Sequence, residues 1–323
     1  MTRIVFLDRG TIAPSIELTR PATAHDWAEH EHSTADDVVA RLAGATVAIT
    51  NKVPIRRAAI EALPDLRMIA VAATGYDCVD IDACRERGIV VSNVRGYAVT
   101  TVPEHTFALI FALSRAVAAY RDDVIAGKWQ AARHFCFFDH PIRDIAGATL
   151  GLVGRGAIGG AVGRIGAALG MRVIYAGRKG AAHTGAARAE APLVPFEEML
   201  ETADVISLHC PLTEATRGLI AMPEFRRMRR RPILVNTSRG GLVDEADLVT
   251  ALDEGLIAGA GFDVLTREPP VDGNPLLAVA GRPNVIITPH VAWASDSAMR
   301  TLWDQVTGNI DAFLAGTPRN TLG

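Results

Sequence analysis

The stretch 149–160, TLGLVGRGAIGG, constrains this chain more than any other. A short apolar run (Leu150, Leu152, Val153) leads into Gly154-Arg155-Gly156-Ala157-Ile158-Gly159. An Ala- and Gly-rich segment with helical spacing continues to about Leu169, and a second apolar run, Val173-Ile174-Tyr175, follows. Strand, glycine turn, helix, strand is the frame that a G-x-G-x-x-G needs before it carries physical meaning. In that frame Gly154 allows the tight turn, Gly156 lets the backbone approach a pyrophosphate, and Gly159 lets the helix lie close on the strand. The helix N-terminus adds free N–H groups and a partial positive charge suited to phosphate. The turn reads as a dinucleotide site. The competing reading is a glycine turn that serves packing alone.

With 323 residues the chain exceeds the ~250–300 at which single cores split, so two domains are expected. It is 49% hydrophobic and 21% charged with a net charge of -3, which gives no ground for a nucleic-acid or membrane partner. The one dense basic run, 226–231, reads as a solvated helix end before a strand. Cys78, Cys84, Cys136 and Cys210 form no C-x-x-C and no cluster with His. No metal is therefore expected, and the cysteines read as reduced thiols of a cytoplasmic protein. The N-terminal MTRIVFLDRG meets Asp8 too early for a signal peptide, and no run of ~18 apolar residues marks a membrane span.

Before the glycine turn, apolar runs at 4–7, 47–49, 68–71 and 89–91 alternate with helical segments at 34–42, 56–63 and 79–87, as parallel βαβ units do. Residues 100–126 are expected as the longest helix. Its apolar set (Phe107, Leu109, Ile110, Phe111, Leu113, Val117) covers more than one face, which implies burial between domains or subunits. Residues 127–142, rich in Trp, Phe and His, show no period and read as a surface-crossing loop. Six further strands are expected at 150–153, 173–176, 204–208, 232–235, 258–262 and 285–288, with a small-residue loop at 180–191. A capped helix at 244–254 and an amphipathic helix at 295–315 (Met299, Leu302, Val306, Ile310, Phe313) complete the pattern. The fold class is α/β, with two doubly wound domains. A Rossmann dinucleotide-binding domain, 99–291, is inserted into a flavodoxin-like substrate domain, 1–98 plus 292–323. The site is expected in a cleft between them, at the carboxyl ends of the strands.

Three residues near strand ends have types suited to carbonyl reduction: Arg239 in VNTSRGG, Glu268 in FDVLTREPP and His290 in TPHVAW. An imidazole can donate a proton to a keto oxygen near neutral pH. A carboxylate can hydrogen-bond that imidazole and orient it. A guanidinium fork suits a substrate carboxylate. Taken singly, each reads better as a buried His, a solvated Glu or a surface Arg.

Together with their neighbours these residues form a longer set: GLVGRGAIGG, VNTSRGGLVDEADL, GAGFDVLTREPPVDGNPLL and ITPHVAWAS, preceded by TNKVP, AATGYDCVD and NVRGYAVTTVPEH. The set spans nearly the whole chain. It resembles the D-isomer-specific 2-hydroxyacid dehydrogenases, and within them the glycerate dehydrogenases (hydroxypyruvate reductases). The resemblance implies reduction of a small 2-keto acid, such as hydroxypyruvate or glyoxylate, to the D-2-hydroxy acid. His290 is then the proton donor, with Glu268 and Arg239 in the roles above. It places the backbone N–H groups of Thr74 and Gly75 on the substrate carboxylate. It places Ala157 and Ile158 on the pyrophosphate, Cys210 and Pro211 near the adenosine, and Thr237, Asp263, His290 and Ala292 around the nicotinamide. It also implies a homodimer formed through 100–142, with Trp129 as a pocket wall of the neighbouring subunit. Asn51 and Lys52 either line the pocket or belong to a solvated loop.

One departure bears on the cofactor. Rossmann domains that take NAD carry an Asp or Glu ~20 residues past the glycines, on the ribose hydroxyls. Here that place falls on Gly177, and no acidic residue occurs between Asp144 and Glu190. Arg178 and Lys179 follow instead, as a 2′-phosphate requires, so NADP is the expected cofactor and NAD a possible one. Two alternatives in function stay open: a sister reductase with another 2-keto acid, and a non-catalytic, cofactor-sensing corepressor-like protein on the same fold.

Overall fold

The computed structural model describes residues 2–180 and 191–323. Of the small-residue loop expected at 180–191, residues 181–190 lie outside the described residues. The chain divides into two compact units, Met1–Ala98 with Ala294–Gly323, and Val99–Trp293. Among the described residues no helix is long and apolar enough to cross a membrane.

The first unit is built on β1 (Thr2–Phe6), β2 (His25–Glu29), β3 (Val47–Thr50), β4 (Met68–Val71) and β5 (Val90–Ser92). Their spatial order is β2-β1-β3-β4-β5, and every pair is parallel. This is the flavodoxin-like winding. The C-terminal strand Thr321–Leu322 adds to β5 antiparallel. All four residues of β3 and of β4 are buried, as parallel strands covered on both faces must be. Two strands were not foreseen. Sequence HDWAE of β2 pairs only with β1, and its half-exposed pattern has no apolar run to announce it. The C-terminal strand has two residues.

The helix expected at 34–42 shrinks to Val38–Arg41. Polar side chains capture the backbone before it. The Thr34 N–H and hydroxyl donate to Asp37 Oδ2, each at 2.8 Å, while Ser33 Oγ donates to Leu7 O. Asp8, just past β1, is 3% exposed. Its carboxylate accepts from the N–H groups of Asn51 (2.9 Å) and Lys52 (2.7 Å), which pins the turn after β3. Burial pushes the Asp8 pKa up against the opposing pull of those bonds.

The C-terminal helix Asp296–Leu314, capped by Ser295, is the longest described helix and buries Met299, Leu302, Val306 and Ile310. Its anchor is Trp303. The indole is 1% exposed, stacks on Phe6 at 5.3 Å and donates Nε1–H to Thr19 O at 2.9 Å.

The second unit carries β6 (Thr149–Val153), β7 (Arg172–Ala176), β8 (Leu193–Val194), β9 (Val205–Leu208), β10 (Ile233–Asn236), β11 (Gly259–Phe262) and β12 (Val285–Ile287). The order is β12-β11-β10-β9-β6-β7-β8, all parallel. The six expected strands become seven because the two-residue β8 extends the edge beside β7. Strand order reverses between β6 and β9, the switch point at which Rossmann sheets bind dinucleotides.

The long helix expected at 100–126 is two helices, Thr101–Ser114 and Val117–Ile125, broken at Ala116 with φ +50. The first packs on β10 and β11 and beside the helix Ala157–Ala168. The aromatic segment after them begins with a short helix, Lys128–Ala131, and leaves Trp129 53%, Phe135 88% and Phe138 81% exposed.

Truncating the anchor of the C-terminal helix should be costly. Trp303→Ala is expected to lose ~3–5 kcal/mol of stability. The measurement is the urea unfolding midpoint, and a loss below ~1 kcal/mol would remove Trp303 from this role.

Candidate active site

β6 ends at Val153, and the chain turns at Gly154 with φ +109. A Cβ at Gly154 would lie 2.4 Å from His209 O, and one at Gly159 would lie 2.2 Å from Gly154 O. Both positions therefore need glycine, the first for its backbone conformation and the second so that the helix can start against the turn. Gly156 differs. It is the exposed N-cap residue of Ala157–Ala168, and a Cβ there would meet nothing within 4 Å. Packing does not require glycine at that position, whereas a ligand lying across the turn would. No side chain caps this helix end. Its first N–H groups, at Ala157, Ile158 and Gly159, are offered with the helix dipole to an anion.

His209 lies under the turn. Although part of the residue reaches the surface, burial of the ring drives its pKa down to about 4, and Nε2 lies 2.9 Å from Ser207 Oγ. The loop continues through Cys210, whose O accepts from Ser238 Oγ at 2.8 Å, and Pro211, whose O accepts from Thr216 Oγ1 at 2.7 Å.

At the end of β7 the Gly177 N–H donates to Val194 O of β8 at 2.8 Å. Arg178 is exposed and makes no polar contact among the described residues. Lys179 is committed elsewhere, with Nζ 2.9 Å from Glu224 Oε1 and 3.2 Å from Leu219 O. Arg155, inside the glycine motif, is a further basic residue here. Its exposed guanidinium lies 5.3 Å from the centroid of the Tyr175 ring, which brings a second cation to β7.

The catalytic candidates lie past β10, β11 and β12. Asn236 organises the turn that follows β10. Its Nδ2 donates to Arg239 O at 2.8 Å, and its Oδ1 accepts from the Ser238 N–H at 3.0 Å. Arg239 Nη1 donates to Ser238 O at 2.8 Å. A Cβ at Gly240 would lie 1.9 Å from the Leu265 carbonyl carbon, so glycine lets the Arg239 segment close onto the segment that carries Glu268. Glu245 braces that segment, accepting from the Thr266 N–H at 2.6 Å and from Asn274 Nδ2 at 2.8 Å.

Glu268 and His290 are brought together. Glu268 Oε1 accepts from the Leu265 N–H at 2.8 Å, and Oε2 lies 2.5 Å from His290 Nδ1. A carboxylate has no hydrogen to give, so Nδ1–H is the donor and Nε2 is left to exchange a proton. His290 itself has φ +55.

Asp263 holds the His290 loop. It is 1% exposed, Oδ1 accepts from Thr288 Oγ1 (2.5 Å) and the Val291 N–H (2.9 Å), and Oδ2 accepts from the Ala292 N–H (2.9 Å). Its backbone O accepts from the His290 N–H at 2.8 Å. Thr237 is 9% exposed and meets Thr106 Oγ1 at 3.0 Å.

In the first unit Thr74 and Gly75 follow β4. Thr74 Oγ1 donates to Val94 O at 2.8 Å and Asn93 Nδ2 donates to Thr74 O at 2.8 Å. Their N–H groups have no partner among the described residues.

Against known proteins, residues 107–292 match the family described as D-isomer specific 2-hydroxyacid dehydrogenase, NAD binding domain, which is more than half of the chain. The chain belongs to the D-isomer-specific 2-hydroxyacid dehydrogenases. It is 47% identical to a glycerate dehydrogenase of Methylorubrum extorquens over 99% of this chain and 98% of that protein. It is 38% identical to a hydroxypyruvate reductase of Blautia hydrogenotrophica over 89% and 88%. Among solved structures, an NADPH-dependent glyoxylate/hydroxypyruvate reductase from Sinorhizobium meliloti in complex with citrate superposes with a TM-score of 0.84. That protein is 29% identical, with 100% of this chain and 98% of that chain covered.

This dehydrogenase is an enzyme of the family, and its cofactor is a nicotinamide dinucleotide. The open space over Gly156 and the uncapped helix end fit that group. Sequence reasoning missed Arg155, Glu245, Thr288 and His105, the last 3.0 Å from Thr288 Oγ1. All four lie inside the quoted motifs, Arg155 in GLVGRGAIGG, Glu245 in VNTSRGGLVDEADL, Thr288 in ITPHVAWAS and His105 at the end of NVRGYAVTTVPEH, but nothing in the motifs gave them a role.

Two predictions follow from this geometry. Gly156→Ala should weaken dinucleotide binding by about tenfold while the folded state loses at most ~1 kcal/mol. Isothermal titration beside thermal melting checks it, and equal damage to both would mean that Gly156 serves the fold. The second concerns His209. The folded protein keeps this ring neutral down to about pH 4, whereas the unfolded chain charges it near pH 6.5. Stability is then complete above ~6.5 and falls as pH drops toward 4, by up to about 3 kcal/mol. His209→Gln should flatten that slope in melting curves between pH 4 and 7, and parallel curves would place the proton uptake elsewhere.

Proposed function

We propose that this dehydrogenase reduces a small 2-keto acid of the hydroxypyruvate and glyoxylate class to the D-2-hydroxy acid, with NADPH preferred over NADH. The Glu268–His290 pair carries the reading, because it leaves Nε2 as the proton-exchanging nitrogen of an oriented imidazole. The Gly154–Gly159 turn and the N–H groups of Ala157 and Ile158 would hold the nicotinamide dinucleotide, which would supply the hydride for the keto carbon. His290 Nε2 gives its proton to the carbonyl oxygen and takes it back in the oxidising direction. Glu268 orients the ring and balances its charge. The Arg239 fork suits a substrate carboxylate, and the N–H groups of Thr74 and Gly75 suit the same kind of group. The names of the relatives, a glycerate dehydrogenase and a hydroxypyruvate reductase, support that substrate class.

The cofactor preference rests on the end of β7. Gly177 stands where a ribose-binding carboxylate would be, and Arg178 and Arg155 supply cations for a 2′-phosphate. Lys179, held by Glu224, is left to brace the strand end. Cys210, Pro211, Thr237 and Ala292 line the rest of the dinucleotide path, with Asp263 holding its nicotinamide end through the His290 loop. The exposed apolar set Val117, Ile125, Trp129, Phe135 and Phe138 supports a homodimer, with Trp129 reaching the neighbour's substrate. Sedimentation at a monomer mass would remove that part.

The test is a panel of 2-keto acids run with both cofactors. Hydroxypyruvate and glyoxylate should give the highest kcat/KM, and NADPH should exceed NADH by at least about tenfold. Arg178→Ala should reduce that preference by roughly 10- to 100-fold, the value of a charge-assisted bond. His290→Ala should lower kcat by roughly 100- to 10,000-fold with the dissociation constant for NADPH retained. A preference for NADH overturns the cofactor reading, and no turnover with any keto acid overturns the substrate reading.

A further inference from the structure

The helix Thr101–Ser114 carries polar side chains that end on the loops of the catalytic candidates. Thr101 Oγ1 donates to Ala292 O at 3.1 Å. His105 Nε2 lies 3.0 Å from Thr288 Oγ1 and 3.6 Å from Asp263 Oδ1. Thr106 Oγ1 donates to Val102 O at 2.8 Å, so at its 3.0 Å contact with Thr237 the Thr237 hydroxyl is the donor. Thr101 and His105 are four residues apart and share one helix face. That face meets the residues on both sides of His290.

The hydrogen bookkeeping at Thr288 fixes the direction of the chain. Thr288 has one hydroxyl hydrogen, and at 2.5 Å it goes to Asp263, which is 1% exposed and accepts only as a carboxylate. The Thr288 oxygen is then the acceptor for His105, so His105 Nε2 carries a hydrogen. An unbroken donor chain runs from His105 through Thr288 to Asp263, and Asp263 in turn holds the N–H groups of Val291 and Ala292. Between Thr288 and Val291 lies His290, at a positive φ that the surrounding bonds must maintain.

We propose that His105 is a positioning residue of the reaction: acting through Thr288 and Asp263, it fixes the loop that aims His290. It touches neither His290 nor Glu268, and its effect reaches the imidazole through the backbone of 288–292. The inference rests on His290 being the proton donor.

The test compares His105→Leu, His105→Gln, Thr288→Val and the double variant His105→Leu/Thr288→Val. A misplacement of His290 by a fraction of an ångström should lower kcat by roughly 10- to 100-fold in His105→Leu. The KM for the keto acid and the dissociation constant for NADPH, the latter read by fluorescence quenching, should stay within about threefold of wild type. His105→Gln keeps an N–H donor and should regain most of the lost kcat. The double variant should be within about threefold of Thr288→Val, since the hydrogen-bonded path from His105 to Asp263 runs through that hydroxyl. The proposal is overturned if His105→Leu keeps wild-type kcat, if Gln rescues nothing, or if the two losses multiply. Should His105→Leu fail to fold, Thr288→Val decides: a lowered kcat with KM retained supports the proposal and an unchanged kcat overturns it. His290→Ala, measured alongside, separates the two readings. If it keeps its turnover, the donor assignment falls; if it loses turnover while His105→Leu does not, only the present inference falls.

Discussion

The backbone of Gly154 meets that of His209 so closely that no side chain fits between them. This contact joins the ends of β6 and β9, the two strands between which the strand order reverses. The other loops of the second unit follow in sequence along the same edge. Ser238 ties the loop after β10 to Cys210 in the loop after β9. Gly240 lets that segment close onto Leu265, and Glu245 holds Thr266. Glu268 then meets His290, past β12. Each loop is fixed by its neighbour, so the carboxyl edge is braced as one continuous run. This is how a fold made of separate βαβ units can hold groups from five loops in register.

Much of this was legible in the residues, for identifiable reasons. Strands β3, β4, β6, β9, β10 and β11 are buried along their whole length, so they appear as continuous apolar runs. Edge strands β2 and β8 lack that signature because one side needs no partner. The break at Ala116 was hidden, since a left-handed residue is ordinarily announced by Gly or Asn and here it is Ala. In the site, motif residues were legible because the glycine turn and the capped helix at Asp244 are local in sequence. His105–Thr288 and Lys179–Glu224 were not, since tertiary folding alone brings those partners together.

The end of β7 shows how a charged site can be displayed at little energetic cost. Exposed arginines lose little hydration, and exposed ion pairs contribute ~0–1 kcal/mol to stability. Arg178 makes no polar contact among the described residues, and Arg155 lies 5.3 Å from the centroid of the Tyr175 ring. Lys179 faces a different environment. Its partner Glu224 is 6% exposed and also accepts the Ala221 N–H at 3.1 Å, so removing the lysine would leave a buried carboxylate underpaired. Of two adjacent basic residues, Lys179 is thus committed to the fold and Arg178 is left exposed, a division that their sequence alone could not apportion.

The same logic governs the loop of His290. A non-glycine residue at positive φ costs on the order of 1–3 kcal/mol, although histidine tolerates the region better than branched residues. That cost is met by bonds on both sides: His290 N–H to Asp263 O, and Val291 and Ala292 N–H to the Asp263 carboxylate. Trp293 Nε1 adds a bond to His290 O at 2.9 Å. Bonds to a buried charge are worth more than neutral ones, but withdrawal of any donor exposes the full penalty of an underpaired carboxylate. Asp263 therefore makes the loop nearly all-or-none. The imidazole is aimed less by β12, which ends at Ile287, than by one desolvated negative charge with its donors gathered around it.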